Sequence, residues 1–166
     1  MGTVTNILFG KGVLSIKYPV GGSWRDLGYT DKGVVLTLDS KATEIHVDEE
    51  TGPVLRTLAA ASESAEIKVD LKEMTLANLD LAIPGSSVAG STLSFGIAGG
   101  SAVKQMALKF VYTSQNGGAI YTVTMALCTA DANVSQTYKL GENVLVPCTF
   151  KALKTSGYDM VTIVKS

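Results

Sequence analysis

The sequence predicts a mainly β fold: a β-sandwich or barrel of about eight strands, with a long projecting hairpin and one short flanking α-helix over residues 75–83. Three observations carry this expectation. Most of the chain alternates apolar and polar residues with a period of two, the pattern of half-buried strands. Only the segment Thr75 to Ile83 switches to helical spacing. Clusters of glycine, asparagine, serine and proline separate the alternating runs, as turns require. At 166 residues, 46% of them hydrophobic, the chain has the size of one domain, residues 1–166, that buries a core without disulfides or metals.

Residues 1–12 read as an N-terminal arm. Leu14, Ile16, Tyr18 and Val20 then alternate with Ser15, Lys17 and Pro19, a half-buried strand. A long stretch over 33–47, a turn-like Asp48-Glu49-Glu50-Thr51-Gly52-Pro53 and a second stretch over 54–72 make a long β-hairpin, residues 33–72. In its second arm Ile67, Val69 and Leu71 alternate with Glu66, Lys68, Asp70 and Lys72. Arms of this length exceed the usual five or six residues, so the hairpin is expected to project beyond the body. Its outer part, Leu58-Ala59-Ala60-Ala61-Ser62, has poor strand propensity and few large side chains. That part is expected to be mobile or held by a neighbour.

Thr75 is the expected N-cap of the helix and Pro84-Gly85 its stop, with Leu76, Leu79 and Ile83 as the stripe facing the sheet. A Gly/Ser-rich loop over 84–101 follows. Strands resume with Met106, Leu108, Phe110 and Tyr112 on one face, and the Asn116-Gly117 signal turns the chain. Tyr121, Val123, Met125 and Leu127 give the returning strand. A further pair is expected through Gln136–Leu140 and Val144–Ala152, where Pro147 marks an edge strand or a bulge. Met160–Val164 closes the chain.

Composition excludes several function classes. Charged residues make up 17% of the chain, against about 25% in ordinary soluble domains, and the net charge is -1. Mean hydropathy is +0.25, and seventeen residues are glycine. Such a chain is neither a binder driven by bulk basicity nor a disordered segment, and weak charge repulsion favours self-association. The N-terminus lacks a basic stretch followed by an apolar one, so no secretory signal is expected. No run reaches the ~18–20 apolar residues of a membrane span, so no membrane anchoring is expected. Cys128 and Cys148 sit in apolar alternating runs and read as reduced, buried thiols.

No catalytic constellation assembles. His46 stands beside Glu44 and Asp48, but no nucleophile elbow accompanies it. The run from Phe95 to Ser101 is glycine-rich but lacks the Gly-Lys-Ser/Thr ending of a phosphate-binding loop. The acids around Asp48 lack calcium-loop spacing. The expectation is a protein that is not an enzyme and carries no cofactor or metal.

Charge is distributed unevenly. Residues 33–72 hold eight acids against four bases, a net of -4, while residues 1–32 and 151–166 are each net +2. Two readings stand: ordinary solvated faces, or head-to-tail complementarity between copies, a contact that stacks indefinitely.

The run Trp24-Arg25-Asp26-Leu27-Gly28-Tyr29-Thr30-Asp31-Lys32-Gly33-Val34 resembles the segment opening the long hairpin in major tail tube proteins of tailed bacteriophages. So does the later run Val69-Asp70-Leu71-Lys72-Glu73-Met74-Thr75-Leu76-Ala77-Asn78-Leu79 leading into the helix. The resemblance covers residues 10–85, and beyond them only the succession of strands. It implies a subunit that assembles into rings, commonly six-fold, stacked head-to-tail into a tube that delivers the genome. It further implies a place in the virion tail after synthesis in the bacterial host cytoplasm. Tape-measure and tail-end proteins are the implied partners, and DNA passes through the lumen without sequence-specific binding. By the same resemblance, residues 40–62 and 1–12 lie at the stacking interface, with Asp48, Glu49, Glu50, Thr51 and Lys11 as inter-ring contacts. Strands near 33–47 and 63–72 line the lumen, with Asp39, Glu66 and Asp70 facing it.

Two other readings stand beside this one. The alternative is a tube subunit of a contractile injection or secretion apparatus, or another virion structural module. It also has the outline of a monomeric β-sandwich that binds carbohydrate. A sugar site favours exposed aromatics, yet Trp24 is the only tryptophan and the tyrosines are expected mostly on alternating strand faces.

Overall fold

Ten strands and one helix make up the described residues of the computed structural model, which are 10–45, 56–96, 103–115, 118–131, 134–138, 140 and 144–166. In chain order they are β1 (Gly10–Lys17), β2 (Trp24–Asp26), β3 (Thr30–Ile45), β4 (Arg56–Leu71), α1 (Leu76–Ala82), β5 (Ser87–Ala89) and β6 (Thr92–Ser94). There follow β7 (Gln105–Ser114), β8 (Ile120–Ala130), β9 (Val146–Ala152) and β10 (Thr162–Lys165). The fold is mainly β, as the period-two pattern predicts. The acidic turn, His46 and Asn116-Gly117 lie outside the described residues.

Eight strands form one antiparallel sheet in the order β2-β1-β7-β8-β9-β4-β3, with β10 joined to β8. Strand β8 is where the sheet divides. One of its edges pairs with β7 along most of its length. The other pairs with β10 over residues 121–124 and with β9 over residues 128–130. A strand that shares one edge between two partners splits the sheet, and the two branches curl over a common core. A register shift between Met106 and Leu108 bends β7 at the same level, and Ala107 is buried there along with its neighbours. The core joins Leu14 and Ile16 of β1, Ile67, Val69 and Leu71 of β4, Met106 and Leu108 of β7, Met125 of β8 and Phe150 of β9.

Alternation governs the two long strands. In β4, Ala65, Ile67, Val69 and Leu71 are buried, while Ser64, Glu66, Lys68 and Asp70 point away from the core. Strand β9 pairs only with Glu66–Leu71 of β4. Beyond that, residues 56–65 of β4 have β3 as their one strand partner among the described residues. At ~3.4 Å per residue this part of the hairpin extends roughly 34 Å past its last three-stranded support. At the root, Lys32 (φ 56°) and Gly33 (φ 85°) adopt the left-handed region and make a bulge between Asp31 and Val34.

Four expectations need correcting. Residues 134–138 and 140 carry no strand, so β9 is not matched by a partner strand there. Instead β9 lies inside the sheet between β4 and β8, and Pro147 sits at the end where only β4 pairs with it, so its missing N–H disrupts no second ladder. The loop after the helix contains the small hairpin β5–β6. The helix buries Asn78, Leu81 and Ala82 most deeply, and of the expected Leu76–Leu79–Ile83 stripe Leu79 alone packs against the core, partly buried. It is only seven residues long, and Ile83 already has an extended backbone as C-cap, so no stripe of i+7 length can form.

Candidate assembly surfaces

Strand register decides which charged residues share a face. Pairing of Thr37 with Glu66, Asp39 with Ser64 and Asp31 with Asp70 puts Asp39, Glu66 and Asp70 together on the outward face of β3–β4. Pairing of Glu66 with Lys151 and of Lys68 with Thr149 continues that face onto β9. The face therefore alternates in sign. Lys68 contacts Glu66 at 2.8 Å, Lys72 contacts Asp31 at 3.0 Å, and Lys151 is bonded to Asp131. The hydrogen bond to Asp131 raises the Lys151 pKa, which holds that ammonium charged. Asp39 and Asp70 make no ion pair among the described residues. Sequence reasoning picked out the acids and passed over the lysines. Lys68 was visible as the i+2 neighbour of Glu66, whereas Lys151 joins the face only through long-range pairing.

The proposed inter-ring contacts divide differently. Asp48, Glu49, Glu50 and Thr51 lie outside the described residues. Lys11 occupies a register position on β1 opposite Thr113 of β7.

Strand β3 has no second strand partner along its far edge among the described residues. On it Val35 and Leu38 are 56% and 57% exposed. An open edge presents unpaired N–H and C=O groups, and sixteen residues is long for one. Strands β2 and β10 are the other edges, and β10 is exposed throughout.

The two sequence runs 24–34 and 69–79 form one structural unit. The Arg25 Nη1 group donates to Asn78 Oδ1 at 3.0 Å, and Asn78 Nδ2 donates to the carbonyls of Leu27 at 3.3 Å and Glu73 at 2.9 Å. Thr75 Oγ1 caps the helix by accepting from the Asn78 N–H at 3.1 Å. Gly28 (φ 83°) lies against the Glu73 carboxylate, which accepts from the Tyr29 N–H at 3.4 Å. On the helix's other side Lys104 and the Ser86 hydroxyl both converge on Asp80. These contacts are saturated hydrogen-bond knots that fix the helix rather than open sites.

Reactive chemistry is scarce. No group of three or more His, Cys, Asp or Glu residues is placed to hold a metal among the described residues. Both cysteines are free and buried, and burial pushes each thiol up to about 12, so neither is a thiolate near neutrality. No described helix is long and apolar enough to cross a membrane. The tyrosines correct the expectation for them. Tyr18, Tyr29, Tyr138 and Tyr158 lie outside the strands and are 45%, 78%, 66% and 70% exposed, leaving only Tyr112 and Tyr121 on β7 and β8. Compared with known proteins, the chain matches no protein-family model and no curated sequence.

Proposed function

We propose that the chain is a structural subunit that assembles into stacked rings forming a bacteriophage tail tube, the conduit for genome delivery. The observation that supports this best is the β3–β4 hairpin, which runs ten residues of β4 past its last third strand and leaves the β3 edge open. A monomer gains little from so long an arm without a third strand, whereas a neighbouring copy gives it a surface to bury. The outward face of β3–β4–β9 suits the lumen wall of such a tube. Each phosphate neutralised by a lysine adds affinity and slows passage, and here Lys68 and Lys151 stand beside acids that offset them. Asp39, Glu66 and Asp70 are the proposed lumen residues, and Asp48, Glu49, Glu50, Thr51 and Lys11 the proposed inter-ring contacts.

A tube of a contractile injection or secretion apparatus would use the same surfaces. The four exposed tyrosines favour a different reading, a monomeric module that binds carbohydrate. Negative-stain microscopy with light scattering on the purified chain separates the classes. Rings or tubes are the expected result, and a monomer at every concentration refutes assembly.

A further inference from the structure

The outward face of β2–β1–β7 is unlike that of β3–β4–β9. On β2–β1–β7 the register sets Lys17 opposite Trp24, Ser15 opposite both Asp26 and Lys109, and Val13 opposite Val111. Trp24, a large apolar side chain, is 40% exposed here, and Val13 is 47% exposed. Lys109 Nζ lies 4.6 Å and Lys17 Nζ 5.9 Å from the centroid of the Trp24 ring. Both ammonium groups thus lie within cation–π range of the one Trp24 ring.

Such an arrangement has no direct ion-pair partner of its own among the described residues. Neither Lys17 nor Lys109 has a carboxylate partner among the described residues. The one acid at this register level, Asp26, accepts the Gly28 N–H at 3.0 Å. Two like charges gathered on a ring repel each other, and a carboxylate bridging them removes that cost while keeping both cation–π contacts. The ring also excludes water from one side of the pair, which strengthens an incoming charge–charge contact.

The same chain supplies a matching group. Residues 44–50 hold Glu44, Asp48, Glu49 and Glu50 and no lysine or arginine. We propose that the Lys17–Trp24–Lys109 face receives the acidic 44–50 segment of a second copy of this chain. This assignment rests on the assembly reading above and deepens it by naming the receiving residues. It makes the contact heterologous, since the donor segment and the receiving face are different surfaces, and such a contact propagates along a stack.

Trp24 reports on the face directly, because it is the chain's only tryptophan. A synthetic peptide of residues 44–52 is titrated into dilute full-length protein while Trp24 emission is followed, beside a peptide with Asp48, Glu49 and Glu50 changed to Gln. The expected result is a saturable shift with the acidic peptide, weakened about tenfold by the Gln peptide or by K17E/K109E. No shift, or equal shifts with both peptides, overturns the proposal. Charge exchange in assembly gives the second test, with far-UV circular dichroism verifying each fold. D48K/E49K/E50K and K17E/K109E should each raise the concentration needed for association about tenfold, and combining them should restore it. A combined variant as impaired as the sum of its parts overturns the contact even if the parent chain forms tubes. If the parent stays monomeric, the tube reading falls, and the peptide titration still decides this contact.

Discussion

Replacing Asn78 with alanine is the sharpest test of how the helix is held. The side chain is 2% exposed, spends both amide donors on the Leu27 and Glu73 carbonyls, and accepts from Arg25 through its Oδ1. At about 1 kcal/mol per bond, Asn78→Ala loses about 3 kcal/mol. Leaving the Leu27 and Glu73 carbonyls short of donors adds to this, while the better helix propensity of alanine returns about 0.7 kcal/mol. The net expectation is a loss of about 3 kcal/mol, or a fall of roughly 6–12 °C in Tm for a chain of this size. Urea unfolding followed by circular dichroism measures it, with differential scanning fluorimetry for Tm. Two companion variants locate the effect. Arg25→Ala removes only a solvent-facing partner and should cost about 1 kcal/mol or less. Asn78→Asp keeps the acceptor for Arg25 but turns the donor toward two carbonyls into an acceptor, so it should cost more than alanine. A Tm change under 2 °C for Asn78→Ala, or a milder effect from Asp than from Ala, would refute the claim that this side chain ties the helix to the β2–β3 connection.

Other outcomes follow from the same geometry. Gly28→Ala meets both a positive φ and the Glu73 carboxylate, and should cost about 1–2 kcal/mol, only part of it recovered by adding Glu73→Ala. The check is urea unfolding of the single and double variants. Leu71→Asp places a carboxylate at a position 1% exposed in the core and should prevent folding, read as loss of dispersed amide resonances. The thiols give a pH dependence. Their folded pKa near 12 lies above the unfolded value of about 9, so their contribution is complete below pH 9 and is lost as pH rises toward 12. Each thiol removes about 1.4 kcal/mol per pH unit in that window. Urea midpoints of a Cys128→Ala/Cys148→Ala variant should therefore fall less steeply above pH 9 than those of the parent, and equal slopes would refute the assignment.

Legibility in the sequence tracked burial. Strands β4, β8 and β9 each bury one face, so apolar residues recur every second position and mark them. Strands β2 and β5 have three residues each, all exposed, and leave no such mark. The helix was found by its Thr75 cap, but its buried face was misassigned because Asn78, a polar residue, is one of its three buried positions. Period two within β4 correctly grouped Glu66 with Asp70. That Lys151 joins them, or that Lys109 comes to lie over Trp24, depends on pairing between strands far apart in sequence, which no local pattern encodes. The runs 24–34 and 69–79, thirty-four residues apart, carry no local signal that they meet, and Asn78 is the side chain that physically joins them.

The hairpin's organisation follows from how firmly each part of its register is specified. Along residues 66–71 a slip of one residue would drive Glu66, Lys68 and Asp70 into the core and expose Ile67, Val69 and Leu71, and β9 reinforces the same alignment from the other edge. Burial therefore fixes the root. Outward of residue 65 no β9 strand is present, Leu38 is already 57% exposed, and alignment depends on the single strand ladder between β3 and β4, with only the exposed Lys154–Glu63 pair at 3.2 Å beside it. A second register irregularity falls there, between Lys41 and Thr43. Specificity so declines along the arm in the direction in which intramolecular support runs out. An arm built this way holds its position firmly at the base while its outer part retains freedom to adapt to another surface. That is the gradient expected of an element whose final alignment is completed by a neighbour rather than by its own core.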